Sequence, residues 1–188
     1  MASAVIFATR TVSGNQPVLR RLTEGVAETF LRGVPVFIAI ADGGLEEALT
    51  LDDNGAGDNI RALAGFNKEA GNNLVTVGVG VELSFGSVQN QPSAINIPRG
   101  APIVDGRIGV EMAAADTVFF GQVGPAQTPV IADIGQTFGL TRDSDGSWFV
   151  DRTATGTNQI AVTIVGLHPD DPRGVYFTVL EAAAQMVA

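Results

Sequence analysis

Residues 74–85 read LVTVGVGVELSF, and their strict alternation constrains the fold more than any other stretch of the chain. Val75, Val77, Val79, Val81, Leu83 and Phe85 fall on one side of an extended backbone, with Thr76, Gly78, Gly80, Glu82 and Ser84 on the other. A period of two belongs to a strand with one buried face. The bare glycines at 78 and 80 imply a close approach by another backbone, or a bend. QIAVTIVGL at 159–167 alternates in the same way, Ile160, Val162 and Ile164 opposing Ala161, Thr163 and Val165. GVYFTVLEA at 174–182 is apolar on both faces, as in a strand covered on two sides. Further strands are expected at 4–9, 34–41, 60–66, 107–112, 117–123, 136–142 and 147–152. Turn formers punctuate them every 8–12 residues or so, the rhythm of an all-β chain with little helix, folded as an antiparallel barrel or sandwich.

One segment competes. In VLRRLTEGVAETFLRG, Leu19, Leu22, Val26 and Phe30 recur at helical spacing, although Gly25 weakens a helix; the alternative over 18–31 is an extended lead into the next strand. RGVPV at 32–36 and RGAPI at 99–103 echo one another, through duplication or chance. SVQNQPSAINIPRG at 87–100 is polar and proline-marked, the best candidate for an internal boundary or long loop.

Composition narrows the function classes. The chain has 188 residues, 23 of them glycine, close to twice the usual share of about 7%, which fits many short strands and turns. Net charge is −9 and Lys68 is the sole lysine, so phosphate backbones would repel the chain. With no cysteine, thiol catalysis, disulfides and thiolate metal sites are excluded. The longest apolar run, VPVFIAIA at 34–41, is far short of the ~20 residues that span a bilayer, and MASAVIFATRT lacks a basic signal-peptide start. A soluble, non-membrane protein folding in the cytosol is expected.

Chemistry-bearing motifs are few. DSDGSWF at 143–149 invites a calcium loop, but Gly146 falls at position 4 and Ala154 at position 12, where a glutamate belongs. A hairpin turn at Asp145-Gly146, of type I′, fits better. Asp52, Asn54 and Asp58 could share a structural cation; otherwise 42–59 is a solvated loop. His168 is the only histidine, set in the tight turn LHPDDP, so neither a His-based zinc site nor a Ser-His-acid triad is indicated. No nucleotide-phosphate loop occurs. Two opposed carboxylates would suffice for a glycosidase, yet Trp148 and Tyr176 stand alone of their kinds, thin for a sugar cleft. A non-enzyme without cofactor or metal is expected.

Three stretches carry a resemblance: FLRGVPVFIA (30–39), IRALAGFNKEAGNN (60–73) and FGLTRDSDGSWFVDRTATGTNQIAVTIVGLHPDDPRGVYFTVLEAA (138–183). The last is the most specific, with its Asp-Gly turn, W-F-V-D, and V-G-L-x-P-x-D-P before V-x-F-x-V-L. Together they resemble the head decoration (cement) proteins of tailed bacteriophages and prophages over about half the chain, and 74–135 only loosely. The resemblance implies a β-rich protein made in the host cytoplasm and bound to the outer face of a virion. There it would bridge subunits of the major capsid protein, commonly as a trimer, with no catalytic set to carry over.

Residues 1–18 could then form an extended arm before a single domain at 19–188. Extended, they would reach ~60 Å, enough to add a strand to a neighbour; the alternative is a first strand in the chain's own sheet. Val5, Ile6 and Phe7, an apolar run costly to expose, are candidate interface residues, as are the Arg20-Arg21 pair and Trp148. A non-catalytic β-sandwich module binding a ligand such as a carbohydrate is the alternative on the same strand pattern.

Overall fold

The computed structural model describes residues 6–14, 16–23, 31–38, 45–47, 63–68, 107–114, 116–155 and 160–184. The 74–85 strand, the 87–100 link, the RGAPI echo at 99–103, the Asp52–Asp58 group, Val5 and the side chain of Arg21 lie outside the described residues. Within them the regular structure is nearly all strand: β1 (Phe7–Thr11), β2 (Leu19–Thr23), β3 (Pro35–Ile38), β4 (Leu45–Glu47), β5 (Gly65–Asn67), β6 (Arg107–Met112), β7 (Thr117–Gln122), β8 (Thr137–Arg142), β9 (Trp148–Asp151), β10 (Ala161–Leu167) and β11 (Gly174–Val179). Helix is confined to single 3₁₀ turns at Ile131–Asp133 and Glu181–Ala183.

Two antiparallel sheets form a sandwich. A large sheet has the order β1-β7-β11-β10-β8-β9 and a small one β2-β6-β5-β3-β4. The large sheet curls until Val123 bridges Val150 on β9, but that single parallel bridge does not close a barrel. The sandwich form of the expectation is the observed one.

Alternation places the core. Along β10 the buried residues are Val162 and Ile164, and along β11 they include Val175, Phe177 and Val179, from the period-two positions read in the sequence. Between the sheets three fully buried rings meet: Phe66 of β5 lies 4.6 Å from Phe119 of β7 and 6.1 Å from Phe177 of β11. Each such burial stabilises the fold by roughly 1.5–3 kcal/mol, so this trio is a principal bond between the sheets. Gly65 allows β5 to lie against β6; a Cβ there would collide with the Glu111 carbonyl.

Three local readings are decided by tertiary pairing. The 18–31 segment is strand over Leu19–Thr23, paired residue for residue with β6 from Leu19↔Glu111 to Thr23↔Arg107. Its helical spacing loses to a non-local partner that supplies the backbone hydrogen bonds. Leu45–Glu47, expected within a solvated loop, is a strand paired to β3, with Glu47 buried. Residues 7–11, read either as part of an extended arm or as a first strand of the chain's own sheet, are the latter, pairing with β7 from Phe7↔Phe120 to Thr11↔Thr117.

The DSDG turn is a hairpin, as its residues suggested, but not of the two-residue type I′ form. Gly146 N–H donates to the Asp143 carbonyl at 2.9 Å, and Asp143 N–H donates to the Ser147 carbonyl at 2.7 Å. With Gly146 at φ 84°, this is a three-residue connection closed by a glycine bulge. Register decides the type: Arg142 pairs Trp148, leaving five residues between them.

Candidate functional site

Three features of the sandwich bear on function: polar clamps between the sheets, an aromatic row on the outer face of the large sheet, and an apolar turn at its end.

The clamps come from acids of the small sheet. Glu47 on β4 is 7% exposed, yet its carboxylate has three contacts from two residues of the large sheet. Trp148 Nε1–H donates to Oε1 at 2.9 Å, Arg142 Nε lies 3.0 Å from Oε1, and Arg142 Nη2 donates to Oε2 at 3.2 Å. A buried carboxylate persists only with such partners. Glu111 on β6 does the same at the other side, accepting the Ala8 N–H of β1 at 2.5 Å and pairing with Lys68 at 3.2 Å. Beside it Asn67 holds the turn into β3, accepting from Val34 N–H and donating to the Leu31 carbonyl, both at 2.7 Å. A cleft of about 170 Å³ opens here, lined by Ile6, Phe7, Ala8, Arg32, Asn67, Lys68 and Glu111.

These contacts locate the residues expected at an interface. Trp148 is 1% exposed and Ile6 2%, so both belong to the core of this chain and not to a free surface, which corrects the interface reading of Ile6 and, for Trp148, favours core over interface. Phe7 is 43% exposed and leans on Phe120, and Arg20 is exposed on β2. The edge of β1 is also poorly suited to an added strand. Its Ala8 N–H is already bonded to Glu111, and the register slips between Ala8 and Arg10, an irregularity of the kind that blunts edges.

On the outer face of the large sheet, the register Phe7↔Phe120↔Tyr176 lines three rings across β1, β7 and β11. His168 completes the group, 5.2 Å from Phe120 and 5.7 Å from Tyr176. Its Nδ1 accepts the N–H groups of Asp170 (3.2 Å) and Asp171 (3.1 Å), which makes it the keystone of the β10–β11 turn. Asp171 itself accepts from Gln122 Nε2 at 2.8 Å and Arg173 N–H at 2.9 Å, bonds that hold its carboxyl below the usual range. In the β8–β9 turn, Asp145 is lowered for the same reason, by the Ser147 N–H at 2.8 Å. Burial pushes Asp151 up, but donors from Thr153 and Gln127 outweigh it and its carboxyl is also lowered. The acids of DSDG therefore already accept hydrogen bonds from their own turn.

The third feature lies between β7 and β8. Val130 is 47% exposed, Ile131 81% and Ile134 44%, around a buried Asp133. Asp133 accepts the Val130 N–H at 2.7 Å and the Arg152 Nη2–H at 2.9 Å, and Arg152 Nε lies 2.7 Å from its other oxygen as an ion-pair contact without hydrogen-bond geometry. Arg152 Nη1 also donates to the Thr128 carbonyl at 2.8 Å. Gln127 bridges the Asp151 carboxylate and the Arg152 N–H, at 2.7 and 2.9 Å. Sequence reasoning passed over this turn; PVIADIG carries a visible signal, three β-branched apolar residues around an acid among turn formers.

The chain has no match among protein-family models, curated proteins or solved structures.

Proposed function

We propose that the chain is a structural decoration protein, bound to the outside of a phage head and stabilising contacts between major capsid protein subunits. The resemblance of 138–183 supports this reading, and those residues form the four strands β8 to β11 of the large sheet. The observation that carries it is the amount of apolar side chain left uncovered on ordered backbone. Phe7, Val12, Val18, Leu19, Leu31, Val130, Ile131 and Ile134 are all at least 43% exposed. Scattered exposed apolar residues are ordinary, but a cluster on an ordered turn fits a face made to be covered. The charge of −9 fits a protein that stays soluble before assembly and avoids the packaged nucleic acid. Sedimentation with expanded, undecorated capsids tests this: the protein should pellet with them to saturation. Protein left wholly in the supernatant overturns the proposal.

A second reading rests on the aromatic row. Phe7, Phe120, Tyr176 and His168 form a ring-lined outer surface of the sort that stacks on the apolar face of a sugar. Retention on a glycan array, lost in Tyr176→Ala, would put this binding module ahead.

A further inference from the structure

We infer that the β10–β11 turn is a proton-operated latch, closed while the His168 imidazole is neutral and opened when its Nδ1 takes up a proton. Pro169 and Pro172 have no N–H, so between His168 and β11 the backbone offers four donors, at Asp170, Asp171, Arg173 and Gly174. Arg173 N–H is held by the Asp171 carboxylate and Gly174 N–H by the Asp171 carbonyl, each at 2.9 Å. The other two, from Asp170 at 3.2 Å and Asp171 at 3.1 Å, converge on the single lone pair of His168 Nδ1. Neighbours fix the ring in that position. Phe120 and Tyr176 flank it at 5.2 and 5.7 Å, and Gly174 makes room for it, since a Cβ there would stand 2.7 Å from that of His168.

An imidazolium carries a proton on both nitrogens and accepts nothing. Protonation therefore sets a third N–H against two that already point at the same spot, and the ring must turn away from them. The charged and titratable groups around it come from the turn, which supplies Asp170, Asp171 and Arg173, and from β11, which supplies Tyr176. On β7 the neighbours are the uncharged Phe120 and Gln122. Arg173 keeps its guanidinium on the Val123 carbonyl, bound through Nε at 3.1 Å and Nη2 at 2.6 Å. The carboxylate that draws a displaced imidazolium is Asp171, held low first by Gln122 and the Arg173 N–H and further by charge on His168. Acid thus exchanges two backbone bonds for one carboxylate contact, and takes the fourth ring out of the row formed by Phe7, Phe120 and Tyr176. Histidine ordinarily changes charge between about pH 5 and 8, and the chain has one, so the latch does not depend on what the outer face binds.

The test is nuclear magnetic resonance on isotope-labelled full-length protein, titrated from about pH 7.5 to about pH 5, a window above the carboxylates. At the upper end the ring-nitrogen signals should show the proton on Nε2 and none on Nδ1. Across the window the Asp170 and Asp171 amide signals should move with the imidazole midpoint. Their protection against exchange should fall by about tenfold, the scale of one or two net hydrogen bonds. His168→Asn keeps a side-chain oxygen able to accept the same two amides without titrating, so protection should stay level. His168→Phe keeps a ring without an acceptor and should protect them poorly throughout. A proton on Nδ1 at the upper end overturns the latch, and so do amides that ignore the imidazole midpoint. Amides that still respond over this window in His168→Asn overturn it too, because another group would then be the switch. Parent-like protection in His168→Phe does the same. The ring and amide titrations are read on the parent chain and decide the matter even if a variant fails to fold.

Discussion

The two sheets are built on different plans. In the large sheet, β8 to β11 follow one another in sequence, and two of their pairings, β8–β9 and β10–β11, are hairpins closed by DSDG and HPDDPRG. Apart from the local β3–β4 pairing, the small sheet gathers distant pieces: β2 pairs with β6 some 90 positions on, and β5 with β6 across more than 40. Local pairing needs only alternation and a turn. Non-local pairing must offset a larger loss of chain entropy, and here the small sheet is tied down by side chains as well as by its ladder. Glu47 and Glu111 fasten it to β8, β9 and β1, and Asn67 fastens the turn that enters it. Turns hold β8 to β11 of the large sheet, whose β1 and β7 pair across more than 100 positions; clamps and the shared aromatic core hold the small sheet.

The core is the strongest place to test that contrast. Phe66→Ala removes a small-sheet ring packed on Phe119 and Phe177 and should cost about 3–5 kcal/mol. Trp148 is the only tryptophan and sits in the large sheet, so its fluorescence should follow the same single unfolding transition as circular dichroism. Two separate transitions, with Trp148 unaffected by the substitution, would mean that the sheets are independent.

A smaller effect is expected at the clamp. Glu47→Ala leaves the indole N–H of Trp148 and the guanidinium of Arg142 without their acceptor. The arginine side chain is 39% exposed and regains water, so the cost should be about 2 kcal/mol in denaturant unfolding. Glu47→Gln keeps one acceptor and should lose less. Equal losses would assign the effect to packing and not to the carboxylate.

The smallest effect separates the turns by pH. Asp145, Asp151 and Asp171 all belong to turns or strand ends of the large sheet, and each is held below its ordinary value of 3.8. A lowered native pKa means that the ionised form stabilises the fold above the unfolded value, and the gain fades as pH falls through the native one. Acid should therefore weaken the large sheet from about pH 4 downward. Asp145→Asn should fall short of the parent chain above that range and match it below. Hydrogen exchange across the titration checks this, with the β8–β9 turn opening before β5 and β6; the reverse order would refute the account.

Legibility followed the same division. DSDGSWF announced a turn, and HPDDPRG another, because turn chemistry is local. The bulged form of the first turn depended on the register of β8 against β9, which no residue inside the turn specifies. Leu19 and Leu22 mimicked a helix, and only β6 made that segment a strand. Glu47 lay hidden within an acidic stretch read as solvated, because its partners Arg142 and Trp148 are about a hundred residues away. Ile6 was legible as costly to expose and Trp148 as core or interface, but which of these each would be was not. The apolar turn at Val130–Ile134 could be suspected from PVIADIG, yet its exposure could not: an isoleucine in sequence gives no sign of which way it faces when no period governs it.

By itself, then, the sequence determined the β class, the principal strands of the large sheet and the places of its turns. Side-chain alternation and turn propensity act over a few residues and are written where they act. Only the tertiary structure decided that the sheets form an open sandwich, that β1 belongs to the chain's own sheet, and that buried acids of one sheet are satisfied by the other. Those outcomes depend on which distant groups meet, and a buried carboxylate or an edge N–H is stable only once its partner has arrived.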